Sequence, residues 1–201
     1  MKILTTPNPI LTHPAKPVEK IDKKVLEFIE EMKKTLLATE NPKGVGLAAP
    51  QLAKPWQIFI ARPIVGSKPS KIQVFINPEI IWKSKELTEG VPERETKQSP
   101  VPDGTGQSFS SNKLEGCLSI PGIWGYIKRH QTIKLKYKTP DNKTHTKKFS
   151  GFLATIIQHE MDHLEGRLFS ARVLEQHGKF FKIEKNVEGK ETLQEMRLDL
   201  A

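Results

Sequence analysis

The segment 150–169 constrains the fold more than any other part of the sequence. Its periodicity predicts a helix that is apolar on nearly every side, which is typical of a helix buried in a core. The large apolar residues of this segment are Leu153, Ile156, Ile157, Met161 and Leu164. Gly166 follows them and is suited to end the helix. The rest of the chain must therefore supply elements that pack around this helix.

The same helix contains the sequence H-E-x-x-H, from His159 to His163. Because residues four apart share one side of a helix, both imidazoles can bind a single metal ion. Glu160 lies beside them, where its carboxylate can take a proton from a metal-activated water. Burial of a glutamate between two histidines costs several kcal/mol unless a bound cation compensates. The pattern therefore favours a metal site over a chance match on a surface helix.

A catalytic site of this kind needs a third protein ligand, which the H-E-x-x-H pattern does not supply. Phe169 occupies the position at which some H-E-x-x-H proteins have a third histidine. His177, Glu175 and Glu184 follow the helix and are candidates. Cys117 is another, because a thiolate is a strong metal ligand. As the only cysteine of 201 residues, it can equally be a packed hydrophobic residue or a nucleophile.

Other segments have simpler patterns. Residues 22–37 have the apolar spacing of a helix that Asp22 can cap. The runs 56–61 and 71–77 have the composition of strands. In 127–149 apolar and basic residues alternate on both sides of a turn sequence, which predicts a hairpin.

Two further segments are polar. Residues 84–113 contain few large apolar residues and much Pro, Gly and Ser, so they predict a long, mobile loop. The tail 171–201 is expected to be a C-terminal extension. Within it, the sequence KETLQEMRLDL (190–200) suggests a short amphipathic helix.

The formal charge is +9, from 32 basic and 23 acidic residues. This charge favours an anionic partner such as nucleic acid or a ribosome surface, although solubility alone also explains it. Part of the charge lies in the predicted hairpin, since 128–148 contain eight Lys or Arg and one acid, Asp141. Lysines on an exposed strand also prevent association between sheet edges, which is an alternative explanation.

The sequence predicts a cytoplasmic protein without a membrane segment. A single cysteine excludes an internal disulfide, which fits a reducing compartment. Residues 1–20 contain no apolar run of the kind found in signal peptides. No 18 consecutive residues are apolar.

Three motifs together resemble the peptide deformylase family. They are GVGLAAPQ (44–51), EGCLSIPG (115–122) and QHEMDHLEG (158–166), in the order of that family. The resemblance covers roughly residues 1–170, which would form the catalytic domain, with 84–113 as an insertion. It implies an α+β fold with antiparallel β-sheets packed around a central buried helix that carries the HExxH motif.

The resemblance also implies the ligands and the catalytic groups. Cys117, His159 and His163 would bind one metal ion per chain, typically Fe²⁺, with Zn²⁺ or Ni²⁺ as substitutes. Glu160 would act as general base and then as general acid. The ion would supply the Lewis acid of an amide hydrolysis.

The first two motifs would supply the remaining site residues. Gln51 and the backbone N–H of Leu118 would stabilise the oxyanion. Gly46 would lie beside the active site, with Val45 and Gly44 near the substrate. A formyl carbon carries only hydrogen, so close-packed glycines here are expected to leave a slot too narrow for larger acyl groups.

The activity implied is removal of the formyl group from the N-terminal formylmethionine of nascent polypeptides, with release of formate. The partners implied are the nascent formylated polypeptide and, transiently, the ribosome, with no membrane and no specific nucleic-acid sequence. Two competing functions use the same features. A metallopeptidase would act on unformylated chains, and a basic nucleic-acid-binding module would need no metal.

Overall fold

The computed structural model contains few helices and many strands. The structure describes residues 1–40, 43–65, 68–89, 101–102, 108–109, 114–185 and 191–196. Three α-helices occur among them, α1 Lys23–Leu37, α2 Gly151–Leu164 and α3 Phe169–Glu175. Two short 3-10 helices span Pro9–Thr12 and Ala49–Leu52.

The described strands pair with one another only in the antiparallel sense. In chain order they are β1 Gly46–Ala48, β2 Ile58–Ala61, β3 Ile64–Val65, β4 Lys68–Pro69, β5 Gln73–Lys83, β6 Leu87–Glu89, β7 Val101–Pro102, β8 Ser108–Phe109, β9 Leu114–Cys117, β10 Ile120–Tyr126, β11 Lys128–His130, β12 Thr132–Lys138, β13 Thr144–Ser150, β14 Phe180–Lys185 and β15 Glu191–Met196.

The strands form two main sheets. The first has five strands in the order β1-β2-β5-β12-β13, and the second has four in the order β15-β14-β10-β9. The pairs β11-β6, β3-β4 and β7-β8 complete the described pairings. The predicted α+β fold with antiparallel sheets is confirmed.

The two faces of the five-stranded sheet are covered by different helices. Phe59 belongs to the buried cluster that contains Ile157 of α2. Its neighbours Ile58 and Ile60 point the other way and pack with Met32 of α1. This alternation follows from the two-residue period of a strand. The sheet therefore separates two apolar layers, one on the side of α2 and one on the side of α1.

The predicted helix at 22–37 is confirmed to within one residue. Asp22 precedes α1, and its side chain accepts a hydrogen bond from the Val25 N–H at 3.0 Å. This bond satisfies one of the N–H groups that a helix start leaves unpaired. Phe28, Ile29 and Met32 form the buried side of the helix.

Helix α2 is shorter than its predicted span and is buried along most of its length. It ends at Leu164, and Gly166 adopts a positive φ of 71° just beyond the end. A Cβ at Gly166 would lie 2.7 Å from the backbone of His13, so the position requires glycine for space as well. After this turn, Phe169 starts α3 instead of extending α2.

The strand predictions hold in part. The hairpin is confirmed for β12 and β13, whose register pairs Lys134 with Lys148. Residues 128–130 of the predicted hairpin form β11, which pairs with β6 instead. The strand predicted at 71–77 continues to Lys83, with Asn77 at a positive φ of 49° inside it. The prediction ended the strand too early because Asn77-Pro78 resembles a turn.

Two predictions for polar segments need correction. The helix predicted at 190–200 is wrong for its described part, since residues 191–196 form β15 on the edge of β14. The segment forms a strand because it pairs with β14, and its own sequence pattern does not show this pairing. Of the predicted loop at 84–113, residues 84–89 include β6, which pairs with β11. The rest of that loop, except β7 and β8, lies outside the described residues.

Within the described ranges, no helix combines the length and the apolar character needed to cross a lipid bilayer.

Candidate metal centre and active site

Three potential metal ligands converge from two distant parts of the chain. The ligand atoms of Cys117, His159 and His163 all lie within 4.8 Å of one another. Cys117 Sγ is 3.1 Å from His163 Nε2. Cys117 and His163 are buried, and His159 is partly buried. One thiolate and two imidazoles form a donor set that suits a divalent transition metal.

The other candidate ligands lie elsewhere. Glu175 pairs with Arg172 at 3.1 Å. Glu184 of β14 pairs with Lys182 at 3.0 Å. His177 follows α3 and is exposed, with a positive φ of 52°. None of these three belongs to a cluster of ligand groups within the part of the chain that the structure describes.

The end of β9 brings Cys117 to the site. A Cβ at Gly116 would lie 2.8 Å from the Trp124 ring, so glycine allows β9 to approach β10 closely. The Ser119 N–H donates to Cys117 Sγ at 3.4 Å. Burial raises the pKa of the Cys117 thiol, but electrostatic interactions and hydrogen bonds with His163 and His159 outweigh it and hold the pKa well below its ordinary value. The sulfur is therefore a thiolate, the form that binds metals.

A buried ionic network behind the histidines fixes their helix. Glu115 Oε2 lies 3.2 Å from His159 Nδ1, which directs the other ring nitrogen toward the cysteine. Arg129 donates to Glu115 at 2.9 Å and to Asp162 at 2.6 Å. Arg172 also donates to Asp162, at 2.7 Å. This network links β9, β11, α2 and α3.

The charges of this network offset the cost of burying them. Burial alone would raise the pKa of Glu115, but Arg129 and His159 lower it to about 2. Burial likewise opposes ionisation of Asp162, yet Arg129 and Arg172 hold its pKa below the ordinary value. Both carboxylates are therefore ionised at neutral pH. Glu115 and Arg129 are not predicted as site residues from the sequence, because no local pattern shows that two strands bring them together.

Glu160 lies beside the three ligands in a different environment. It is 4% exposed, and its Oε2 is one of the buried polar atoms without a hydrogen-bond partner among the described residues. Burial raises the pKa of Glu160 to about 7, and the nearby histidines oppose this rise. A Cβ at Gly46 would overlap Glu160 Oε1 and lie 2.8 Å from its Cδ. Glycine at this position of β1 leaves the space that the carboxylate occupies.

Gln51 is held by hydrogen bonds at both ends of its side-chain amide. Its Oε1 accepts from the Ala48 N–H at 2.8 Å, and its Nε2 donates to Ser119 Oγ at 3.0 Å. Nε2 also lies 3.8 Å from Cys117 Sγ. Gln51 is 2% exposed. A buried amide fixed in this way is a pre-oriented donor next to the candidate metal ligands.

A cavity of about 210 Å³ opens beside these groups. The predicted site residues that line it are Gly44, Val45, Gly46, Gln51, Cys117, Leu118, His159 and Glu160. His163 is the one predicted residue outside this lining, and it contacts Cys117 from behind. Leu114, Trp124, Phe152 and Ile156 add apolar walls. The cavity can therefore hold an apolar side chain with a polar group directed at the cluster.

The donor set and the glutamate together fit a bound divalent cation. Cys117, His159 and His163 would hold such an ion, and a catalytic ion also needs a position for water or substrate, for which the cavity offers room. The unpartnered Glu160 Oε2 is available to a water there. An α+β fold with these groups defines the class of metal-dependent hydrolases that carry an H-E-x-x-H helix.

The chain belongs to the polypeptide deformylase family, whose model matches residues 1–179. A peptide deformylase of Borreliella burgdorferi is 36% identical over 169 residues, which are 84% of this chain and 85% of that protein. One of Rhodopirellula baltica is 31% identical over 176 residues, 88% of this chain and 74% of that protein. The crystal structure of the Thermotoga maritima peptide deformylase has a TM-score of 0.66 at 32% identity and covers 85% of this chain and 95% of that one.

Members of this family remove the formyl group from the N-terminal methionine of nascent peptides in a metal-dependent reaction, and this chain is a hydrolase of that family. The resemblance predicted from the three sequence motifs is confirmed.

Proposed function

We propose that formyl removal takes place in the cavity beside Cys117, His159 and His163, with Glu160 as the group that moves protons. The observation that carries this proposal is the convergence of the three ligand atoms within 4.8 Å of one another, next to a buried carboxylate and a cavity. The apolar walls of the cavity suit the side chain of methionine.

One metal ion per chain is proposed to bind to the cysteine and the two histidines. Sulfur and imidazole donors suit Fe²⁺, the ion we favour, and also Zn²⁺ or Ni²⁺. When bound, the cation makes a water acidic and polarises the formyl carbonyl. Glu115 supports His159 through the ring nitrogen that does not face the cysteine, at 3.2 Å.

Glu160 is proposed to act first as base and then as acid. Its Oε2 takes a proton from the attacking water as the water oxygen bonds to the formyl carbon. The same carboxyl group then gives the proton to the nitrogen of methionine as the C–N bond breaks. Formate and a free N-terminal amine are the products. The absence of any protein partner for Oε2 among the described residues supports this role.

The oxyanion that forms on the formyl oxygen needs fixed donors at about 3 Å. We assign these to Gln51 Nε2 and to the backbone N–H of Leu118, the residue after the cysteine. Gln51 is suited to the task because its other contacts hold the amide in one orientation.

Gly46, Val45 and Gly44 are proposed to form the wall against which the formyl group lies. The lack of space at Gly46 supports a narrow slot, since even a methyl group there would overlap Glu160. An acetyl group adds a methyl group at the reacting carbon. We therefore expect N-formyl peptides to be cleaved and N-acetyl peptides to be excluded.

The finer organisation is also a proposal. We infer that α2 is the central helix around which the sheets are arranged, because most of its residues are buried. Residues 1–170 would hold all catalytic groups, with 84–113 as an insertion and 171–201 as an extension. Because its substrates emerge from ribosomes, the protein is proposed to work in the cytoplasm and to contact the ribosome transiently, through the lysines of the β12–β13 hairpin and not through a specific nucleic-acid sequence.

The decisive experiment combines metal analysis with two assays. Protein purified without oxygen is analysed for metal, and formate release from a formyl-Met peptide is measured for wild type and for Glu160→Gln. We expect about one metal ion per chain in both and a loss of kcat of about 10²- to 10⁴-fold in the variant. Glu165→Gln, at the exposed end of the same helix, serves as the control and should match wild type.

The same preparation distinguishes the competing peptidase function. The matching peptides with a free or an acetylated N-terminus should not be cleaved. Cleavage of the unformylated peptide at a comparable rate, or full activity in Glu160→Gln, would overturn the proposal.

A further inference from the structure

A charged surface distant from the candidate metal centre lies on the five-stranded sheet, on the side opposite α2. Ile133, Leu135 and Tyr137 of β12 are buried toward α2, so the lysines between them point to the other side. Helix α1 covers part of that side through contacts that include Ile76. Lys134 and Lys136 of β12 lie beyond Ile76 along the sheet, Lys138 lies opposite it, and none of the three lysines is buried.

One row across this surface joins three strands. Lys134 of β12 lies opposite Trp82 of β5 and also opposite Lys148 of β13. Residues in such a row have neighbouring side chains on one face of the sheet. The next outward-facing lysines along β12 are Lys136 and Lys138. We call these five residues the Trp82 face.

The charge of this face is nearly all positive. Four of the five lysines of β12 and β13 belong to this face, and neither strand contains an acidic residue. Glu79, opposite Lys136, is the acidic residue of β5. Asp141 in the hairpin turn forms an ion pair with Lys143 at 2.9 Å.

Protection of the sheet edge explains only part of this pattern. Lys148 lies on β13, which is the edge strand, where lysine prevents association with other sheets. Strand β12 is internal, between β5 and β13, so Lys134 and Lys136 protect no edge. Like charges directly opposite each other, as at Lys134 and Lys148, also destabilise a sheet. A binding function accounts for lysines that the fold does not need.

Trp82 identifies the kind of partner. Trp82 is 48% exposed, although a tryptophan is normally largely buried. Lys148 Nζ lies 5.4 Å from the centroid of its ring. An exposed aromatic ring among cations is the arrangement on which proteins stack the bases of single-stranded nucleic acids. An acidic protein or a lipid surface would use the lysines but has no base to stack on the ring.

We propose that the Trp82 face binds single-stranded RNA without sequence preference, with phosphates on Lys134, Lys136 and Lys148 and one base on Trp82. Lysines two residues apart on a strand are separated by about 6.7 Å, a spacing that an extended phosphate backbone can follow. The RNA that binds here in the cell is taken to be exposed RNA of the ribosome. Only this choice of RNA rests on the proposed function.

Binding is measured by fluorescence anisotropy with a labelled dodecamer of uridine. The variant Lys134→Glu/Lys136→Glu should weaken binding at least tenfold and reduce the slope of log K against log salt by about 1.4. Trp82→Ala should weaken binding about tenfold. The control Lys179→Glu/Lys182→Glu makes the same charge change at two exposed lysines, one just before β14 and one within it, and should bind like wild type.

Tryptophan fluorescence gives a second measurement. Trp82 is more exposed than Trp56 and Trp124, so RNA should quench its emission in wild type. Trp82→Phe, which keeps an aromatic ring, should retain binding and lose most of the quenching. Equal loss of affinity in the control variant, or unchanged affinity in Trp82→Ala, would overturn the proposal.

Two other polyanions test the choice of RNA. Poly-glutamate and vesicles containing phosphatidylserine should bind more weakly than the RNA and should be insensitive to Trp82→Ala. If either binds as tightly as RNA, the face is a general anion surface and the proposal fails. Formate release, measured in parallel, should be unchanged in all of these variants. Lost RNA binding with intact activity therefore contradicts only this inference, and absent activity with intact binding contradicts only the proposed function.

Discussion

Glu160 and Gly46 occupy a shared space at the centre of the site. The carboxylate lies where the side chain of any other residue at position 46 would have to be. Residues Ile156 and Glu160, one turn apart on α2, both border that space. The orientation of the carboxylate therefore depends on a residue more than a hundred positions earlier in the chain.

Gly46→Ala should displace the Glu160 carboxylate and lower kcat at least tenfold, because a misplaced catalytic group loses much of its effect. Metal content should stay near one ion per chain, since no ligand contacts the new methyl group directly. Gly125→Ala is the matched control, because its Cβ would meet Val173 at 2.6 Å, away from Glu160. This control should lower the melting temperature while kcat stays near wild type. A Gly46→Ala enzyme with normal kcat would contradict the role of Gly46 in orienting the Glu160 carboxylate.

Gln51→Glu tests the proposed oxyanion donor. The carboxylate can still accept from the Ala48 N–H but offers no N–H of its own. We expect kcat to fall about 10²- to 10³-fold, as for the loss of one oxyanion donor. Gln57→Glu, a partly buried amide that donates to Ala15 O at 3.2 Å, is the control. An equal loss in both variants would show that the change is not specific to the site.

Some of these residues could be predicted from the sequence and others could not. His159, Glu160 and His163 were visible because helical spacing alone brings them together. Cys117 could be assigned only through the resemblance to a family. Arg129 gave no signal, because its role depends on two carboxylates that meet it only in the folded chain.

At the level of elements, the ionic network joins the strand that carries the cysteine to the helix that carries the histidines. Arg129 of β11 is 5% exposed and contacts Glu115 of β9 and Asp162 of α2. Removal of one partner from such a network leaves buried charges without compensation. The network therefore fixes the distance between the two elements that carry the candidate metal ligands.

Arg129→Met should destabilise the protein by about 3–5 kcal/mol, which corresponds to a drop of roughly 10 °C in melting temperature. Metal affinity should fall about 10- to 100-fold, since the support of His159 by Glu115 is disturbed. Arg167→Met removes an exposed ion pair of 3.5 Å with Glu175 and should cost less than about 1 kcal/mol. Thermal unfolding and a competition assay for the metal measure both effects. Equal losses in the two variants would contradict the importance of burial.

The elements that could be predicted from the sequence are those whose determining residues are close together in the chain. Helix α1 has its cap and its apolar spacing within one stretch of sequence, and β12–β13 has its turn. The C-terminal strand β15 was wrongly predicted as a helix because the edge of β14 decides its conformation. Strand β6 was missed for the same reason, since its partner β11 lies about forty residues later.

At the scale of the molecule, the candidate metal centre links two units. Cys117 belongs to the end of β9 and the four-stranded sheet, whereas the histidines belong to α2, which packs on the five-stranded sheet. A bound ion would therefore cross-link parts of the fold and stabilise the whole chain. Its removal should affect global stability and not only activity.

Removal of the metal with a chelator should lower the melting temperature of the loaded protein by about 10 °C, as expected for a ligand held at about 1,000 times its Kd. In Cys117→Ala the melting temperature should be the same with and without chelator. The comparison separates loss of the metal from other effects of the chelator. A wild-type protein whose melting temperature ignores the chelator would contradict the stabilising role of the ion.

The C-terminal strands are predicted to be needed for stability although the family match ends at residue 179. Strand β14 pairs with β10, and its Phe180 is 5% exposed in the cluster that contains Cys117. Truncation after Lys179 would leave the edge of β10 open and would remove the edge-on contact of Phe180 with Phe169. Loss of one buried phenylalanine side chain already costs about 3–5 kcal/mol.

A chain ending at residue 179 should therefore unfold at least about 10 °C below the full chain and aggregate at lower concentration. A chain ending at residue 185 retains β14 and should stay close to the full chain in melting temperature and formate release. Scanning calorimetry and light scattering on the two truncated chains distinguish these outcomes. If both behave like the full chain, the catalytic unit is complete without β14, and the packing of Phe180 beside Cys117 contributes little to it. If only the shorter chain fails, the extension is part of the structure that holds Cys117, a candidate metal ligand, in place.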